Sequence, residues 1–508
     1  MTQHLAILPI LLPLMAGALV LMSERRGILA QRAIALTAMA ALLAVAIALL
    51  WRAGRGETLV YLLGDWPARL GIALMADRLS ALMVLAAALL ALPCLLYACA
   101  GWDQRSPHFH ALFQFQLVGI NGAFLTADAF NLFVFFEVML IASYGLMLSG
   151  GRNVRMRVGL HYVVFNVTAS TLFLIALGVL YGMLGTLNMA EMALRVGQAP
   201  AGNLPLIQAA GALMLLVFCA KAALLPLYLW LPEAYTRAPA AIAALFAIMT
   251  KVGLYAVLRV GTLIFGPLAG ALAGFAWQWL LPLGLATLAL ASLGVMAATR
   301  LRALVAYLVL VSAATLFVAF ALARPETIAA GLYYLLHSTF VAAALFLIAD
   351  LVRRSRGEAG DRFGVAAPMH RRAKLGLVFL VAAVSVAGLP PLSGFLGKLM
   401  VLDATPAGQA GWVWSIVLAS SFIVIAALAR AGSALFWRVE DDGVPMRRPV
   451  RAVETGAVLL LLGYGVAMTV AAAPVLDYAR ATADQLLDPQ AVVDRVRQTP
   501  PQLREPSP

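Results

Sequence analysis

The sequence predicts an all-α polytopic membrane protein of about 14 transmembrane helices, arranged as two inverted five-helix repeats that each contain a broken helix. Three observations carry that prediction. Uninterrupted apolar runs near 20 residues recur from end to end, and each is long enough to cross ~30 Å of hydrocarbon. The 508 residues are 63% hydrophobic and only 12% charged, about half the charge of a soluble chain. Two of the apolar runs, five spans apart, are interrupted by Gly or Pro next to a lysine. A β-barrel would show short alternating segments instead.

The expected spans are 4–22, 33–51, 79–100, 109–126, 129–149, 161–184, 205–231, 239–260, 274–298, 303–322, 327–351, 375–402, 411–436 and 453–476. The first run lacks a basic leader and an obvious cleavage site, so it reads as a retained helix. The seventh span, "LMLLVFCAKAALLPLYLWLP", places Lys221 five residues before Pro226. The twelfth, "VAAVSVAGLPPLSGFLGKLMVL", places Lys398 just after a Gly/Pro break. Interrupted segments at matching places in two halves point to an inverted-repeat transporter with its site near mid-membrane. Residues 1–476 therefore read as one membrane domain, with 109–260 as the first repeat and 274–436 as the second. Residues 477–508 read as a polar tail whose last part, "QTPPQLREPSP", has a disordered composition.

The net charge of +13 does not indicate nucleic acid. Basic residues concentrate in alternate loops: Arg25, Arg26 and Arg32; Arg152, Arg155 and Arg157; Arg300 and Arg302; seven between Arg353 and Lys374; Arg438, Arg447, Arg448 and Arg451. The positive-inside rule makes these loops cytoplasmic and turns both termini outward. Cys94, Cys99 and Cys219 match no metal-ligand spacing and suggest no disulfide framework.

Glu137, Lys221, Lys251 and Lys398 sit near span centres, and His337 lies mid-span in the eleventh. A charge at a helix centre costs about 3 kcal/mol on insertion scales. Stability supplies no reason to keep four of them, so the default reading is an ion or proton pathway. A structural Glu–Lys pair is the plainer alternative. It leaves two lysines and a histidine unexplained, and buried pairs often stabilise less than apolar packing. A lone His337 reads as a packing residue, but in line with the lysines it reads as part of a relay. Lysine suits proton transfer, because burial loosens an ammonium's hold on its proton and a nearby carboxylate restores it. Glu137 is then the modulator, Lys221 the switchable carrier, and Lys251, His337 and Lys398 the onward steps, with water bridging the longer gaps.

At these residues the chain resembles the proton-conducting antiporter-like family. That family includes the large membrane subunits of respiratory complex I and the A and D subunits of the Mrp (Pha, Mnh) cation/proton antiporters. The resemblance rests on "KAALLPLYLWLPEAYTRAPAAIAALFAIMTKVGLYAVLR" (221–259), "FFEVMLIASY" (135–144), "GLPPLSGFLGKLM" (388–400) and "LGDWPARLGIALMADRLSALM" (63–83), and covers spans 3 to 13. It implies that the family's carboxylate, its three lysines and its histidine fall on Glu137, Lys221, Lys251, Lys398 and His337. Tyr228 and Tyr235 stand where complex I members commonly have histidines, and Lys398 stands where one of them has Glu. Those features resemble the Mrp D branch. Many relatives carry a lysine five residues after the histidine; here it is Ala342, which leaves the central step to Lys251.

The resemblance implies a proton-translocating subunit of a multisubunit Na⁺ or K⁺/H⁺ antiporter in a bacterial inner membrane, partnered by other Mrp subunits and lipid. It implies no redox cofactor, no metal and no nucleic acid. The alternatives are a proton-pumping subunit of complex I (NADH-quinone oxidoreductase) or of a membrane-bound hydrogenase, a silent scaffold, and a stand-alone solute carrier. The last is disfavoured because no substrate-sized polar cluster is visible.

Overall fold

In lipid a backbone must satisfy its own polar groups, and helices are how long apolar runs do so. The computed structural model describes residues 3–68, 70–151, 153–369, 371–438 and 450–501. Arg152, Arg447 and Arg448, used above for orientation, lie outside them, as does the end of the tail from 502 onward.

Helices α1 (Leu8–Met22) and α2 (Ile28–Gly54) lead to a short antiparallel hairpin, β1 (Leu59–Leu62) with β2 (Ala73–Ala76). Then come α3 (Arg78–Cys99), α4 (Phe109–Leu125), α5 (Ala129–Leu148), α6 (Asn153–Leu184) and the short α7 (Met189–Gly197). Asp77 caps α3 by accepting from the Ser80 amide at 2.9 Å, and Asp128 caps α5 by accepting from Asn131 at 2.7 Å. Helix α8 (Leu204–Lys221) stops at its lysine, and the chain resumes as α9 (Trp230–Arg237), α10 (Ala240–Phe246) and α11 (Met249–Leu263). The second half comprises α12 (Trp277–Ala297), α13 (Leu301–Ala321), α14 (Pro325–Ser355), α15 (Arg372–Ala387), α16 (Ser393–Asp403), α17 (Ala407–Phe436) and α18 (Ala452–Val470). Two further helices, α19 (Ala472–Leu487) and α20 (Gln490–Gln498), close the chain.

Among the described residues, eleven helices are long and apolar enough to cross a membrane, counting α10 and α11 together. The expected spans 1 and 4 form the shorter apolar helices α1 and α4. Span 12 is split: Gly388 takes a left-handed φ of 79° and Pro390–Pro391 follow, so α15 cannot run on into α16. The sequence reading has span 8 continuous, but the structure tightens it. The amides of Ala247 and Ile248 bond three residues back, to Ala244 and Leu245, a 3₁₀ geometry that separates α10 from α11. The Tyr235 hydroxyl donates to the Phe246 carbonyl at 2.8 Å beside this joint.

Hydropathy does not separate inner from outer helices; packing does. The α10–α11 segment is wholly buried, α13 and α14 nearly so, whereas α2, α17 and α18 turn most of their surface outward. Close approach relies on small residues. A Cβ on Gly253 of α11 would lie 2.7 Å from the Ala222 amide and 2.9 Å from the Phe218 carbonyl, so only glycine lets α11 press on the end of α8.

As far as residue 501, the polar segment after 476 packs back on the bundle. Ala479, Ala483 and Leu486 of α19 are buried, α19 packs on α14, and the Tyr478 hydroxyl donates to the Arg78 carbonyl at 2.9 Å. Arg497 of α20 pairs with Glu191 of α7 at 2.8 Å.

At the other end of α3 an ionic clip joins α2 and α4 to the connection that follows α3. Arg32 donates to both Asp103 oxygens at 2.7 and 2.9 Å, and His110 Nε2 lies 3.1 Å from the same carboxylate. Burial works to raise the Asp103 carboxyl, but hydrogen bonds from His110 and Arg32 and the Arg32 charge outweigh it and hold it at about 2. A depressed carboxyl contributes stability above its ordinary value near ~3.9 and loses it as pH falls through the folded value. Arg32→Gln is therefore expected to lower thermal stability in detergent at neutral pH by about 2–3 kcal/mol. The gap from wild type should narrow between about pH 4 and pH 2, followed by unfolding fluorescence across pH.

Candidate functional site

Lys221 ends α8 where the chain breaks, so its side chain reaches back to α6 rather than along its own helix. Its Nζ donates to the Asn166 side-chain oxygen at 3.1 Å, the Asn166 carbonyl at 3.3 Å and the Ser170 hydroxyl at 3.4 Å. Asn166 and Ser170 are one helical turn apart on α6 and present one face. The Ser170 hydroxyl in turn donates to the Glu137 carboxylate of α5 in a short hydrogen bond. Glu137 and Lys221 therefore meet through a hydroxyl, and no direct ion pair joins them among the described residues. Sequence reasoning anticipated the carboxylate acting on a lysine but not Ser170 or Asn166. The available signal was Asn166 and Ser170 at i and i+4 in "NVTAS", inside the apolar span 161–184.

Lys251 is completely buried at the start of α11 and donates to the Ser312 hydroxyl of α13 at 2.9 Å. Tyr255 and Arg259 follow at i+4 and i+8, on the same face. The Tyr255 hydroxyl donates to the Phe124 carbonyl at 2.7 Å. Arg259 makes a bidentate pair with Asp77 at 2.6 and 2.7 Å and also donates to Tyr255 and to Ser80. Both members of the pair are buried. The sequence reading singled out neither, because each lies at a span end where a charge needs no special reason.

His337 of α14 lies within 2.9 Å of the Ser393 hydroxyl through its Nδ1. Gly394 makes room for the ring: a Cβ there would stand 2.7 Å from His337 Nε2. One turn earlier, Tyr334 lies against Thr315 on α13, one turn beyond Ser312. Ala342, five residues after His337, is buried and apolar. Lys398 sits one and a half turns along α16 from Ser393. It donates to the Ala387 carbonyl at 2.9 Å and to the Ser421 hydroxyl at 3.1 Å. The ammonium thus caps the last carbonyls of α15, where a helix dipole favours positive charge. At the first break the capping is different: the Trp230 indole donates to the Ala220 carbonyl and the Leu225 amide to Thr287.

These groups follow the packing order of the helices. α8 packs on α11, α11 on α13, α13 on α14 and α14 on α16. Glu137 and Lys221 share one cluster at one end of this order; at the other, His337 of α14 meets Ser393 of α16, the helix that carries Lys398. Lys251 lies between them with Ser312. The arrangement can do one kind of chemistry. Each lysine faces a group that accepts its proton's hydrogen bond without fixing its charge, and neutral hydroxyls can both accept and donate. Elsewhere, one ligand atom each from Cys99, Asp103 and His110 lie within 4.8 Å of one another, a cluster absent from the sequence reading. Arg32 occupies both oxygens of that carboxylate, which makes it an ionic clip.

The transmembrane family described as NADH:quinone oxidoreductase/Mrp antiporter matches residues 126–424. That range holds Glu137, Lys221, Lys251, His337 and Lys398. The D subunit of a probable K⁺/H⁺ antiporter of Rhizobium meliloti is 39% identical over 98% of this chain and 98% of its own length. The D subunit of the Na⁺/H⁺ antiporter of Alkalihalophilus pseudofirmus is 34% identical over 97% of this chain and 99% of its own. A chain of the Mrp complex from Dietzia sp. DQ12-45-1b superposes with a TM-score of 0.87 at 26% identity, covering 97% of this chain and 99% of that one.

Asp77 precedes the matched range and its partner Arg259 lies within it, and the pair ties the start of α3 to α11, the helix of Lys251. Removing one partner leaves an uncompensated buried charge. Asp77→Asn and Arg259→Gln are each expected to destabilise the protein by about 3–5 kcal/mol, with the double variant recovering part of the loss. The fraction remaining monodisperse by size exclusion after heating in detergent measures this.

Proposed function

The chain belongs to the transmembrane family shared by NADH:quinone oxidoreductase and the Mrp antiporters, and from that premise we propose that it is the proton-translocating D subunit of a multisubunit Na⁺ or K⁺/H⁺ antiporter. It works among the other Mrp subunits in a bacterial inner membrane, with 14 transmembrane helices and both termini periplasmic. Its two inverted five-helix repeats are 109–260 and 274–436, within a membrane domain of 1–476, and 477–508 is a C-terminal appendage. The broken helices of the two repeats carry Lys221 and Lys398.

The observation that carries this reading is the chain Lys221–Ser170–Glu137. An ammonium donates to a hydroxyl that donates to a carboxylate, so opposite charges feel each other through one group that can pass a proton. While Glu137 is ionised it stabilises the ammonium of Lys221. When Glu137 takes up a proton or its link through Ser170 opens, the ammonium loses that support and gives its proton onward. Lys251, His337 and Lys398 receive it in turn, with water spanning the gaps between clusters. Cation movement is coupled through the complex, since carboxylates near the membrane core are scarce beyond Glu137 and a Na⁺ cage needs several oxygen ligands.

The test is antiport in inverted vesicles from cells lacking native antiporters and expressing the whole operon, read with a pH-sensitive dye on adding Na⁺ or K⁺. Glu137→Ala and Lys221→Ala should reduce the cation-induced signal on the order of a hundredfold in complexes that still assemble. Ser170→Ala should reduce it less, because water can replace a hydroxyl. Undiminished exchange in assembled Glu137→Ala and Lys221→Ala complexes would reduce these residues to structural charges. Quinone- or hydrogenase-linked pumping without a cation response would favour the redox-complex relatives.

A further inference from the structure

A groove of about 760 Å³ runs down the outside of the bundle between α15 and α17. Small residues form its floor. A Cβ on Gly432 would stand 3.2 Å from the Phe379 ring, and one on Gly376 3.4 Å from Phe436. Its walls are otherwise apolar, and it extends from Arg372 to Ala387 and Leu389. Along a helix that is about 22 Å, half the ~40–45 Å thickness of a bilayer with its headgroups.

Its two ends differ in chemistry. At one end stand Arg372 and Trp437, with Trp437 73% exposed. Arg371, Lys374 and Arg438 are exposed beside them. None of these four basic side chains forms an ion pair or hydrogen bond with another described residue. An exposed tryptophan among basic residues is the composition of a membrane–water interface. The other end, at Ala387 and Leu389, reaches the break between α15 and α16. There the Ala387 carbonyl already accepts from Lys398, and a Cβ on Gly388 would stand 2.8 Å from the lysine's own Cδ. With that carbonyl taken, this end of the slot is lined by Ala383, Val384, Ala387 and Leu389, a surface that suits an acyl chain.

We propose that this groove is a binding site for one acyl chain of an anionic phospholipid, its phosphate held by Arg372 and its neighbours. The tail then lies along Gly376, Ala383 and Gly432 and covers the break that carries Lys398. A basic mouth over an apolar slot between transmembrane helices is the pattern that selects anionic headgroups. The bound lipid forms part of the wall of the second broken helix. The orientation proposed above puts this basic mouth in the cytoplasmic leaflet; that placement rests on the proposed function, whereas the chemistry of the groove does not.

The test uses the assembled complex in mild detergent with phosphatidylglycerol bearing a photoreactive group on its acyl chain, the adducts mapped by peptide mass spectrometry. This reads binding whether or not the complex exchanges cations, so it fails separately from the antiporter reading. Adducts are expected to concentrate on 372–389 and 425–437 and to be competed several-fold better by phosphatidylglycerol than by phosphatidylcholine. Arg372→Glu should abolish that preference, and Ala429→Trp, which fills the slot, should remove the adducts. Arg372 is exposed, so its variant decides the matter even if the tryptophan variant does not fold. Adducts spread evenly over the outer surface would overturn the proposal, as would equal competition by the two lipids in wild type. Ala429→Trp that sheds its partners while keeping its adducts elsewhere would make the groove a protein interface instead.

Discussion

Leaving a polar group alone in hydrocarbon is costly, most of all for a charge, and this cost shapes both the bundle and its charged row. Every buried cation named above has an oxygen within reach. Lys221 has Asn166 and Ser170, Lys251 has Ser312, Lys398 has Ala387 and Ser421, and Arg259 has Asp77. The helix breaks obey the same rule. Their freed carbonyls are taken by an indole at one break and by a lysine at the other, so the irregular backbone survives at membrane depth.

The partners divide into two kinds, and the division is informative. Arg259 faces a carboxylate directly in a fork geometry, and an arginine does not give up its proton. That pair is a fixed strut between the start of α3 and α11. The three lysines face serine hydroxyls, an amide or a carbonyl, which satisfy an ammonium without neutralising it. Under the proposed relay this difference matters, because a lysine locked to a carboxylate would hold its proton. The single carboxylate of the row is kept one hydroxyl away from its lysine.

Glycine sets how near these elements come. Gly253 lets α11 press on the end of α8, and Gly394 seats the start of α16 on the ring of His337. The same economy of volume leaves the slot between α15 and α17 on the outer face, where Gly376 and Gly432 have no side chain to fill it.

Much of this was legible in the sequence. Apolar run length sets where helices lie, since it measures the hydrocarbon to be crossed, and Gly388 with Pro390 marks one break and Pro226 the other. The intramembrane charges announced themselves because an apolar background makes any charge costly. What only the tertiary structure decided is who meets whom. Ser170, Ser312, Ser393 and Ser421 are ordinary residues by sequence, and nothing local marks a serine that meets a lysine or the histidine. Asp77 and Arg259 are 182 residues apart and sit at span ends where charges are cheap. The 3₁₀ joint before Lys251 carries no Pro or Gly of its own. The inward placement of α13 and α14 was hidden too, because lipid and protein interior are equally apolar and hydropathy cannot tell them apart. Sequence determines what must be buried in a membrane protein; packing decides against what.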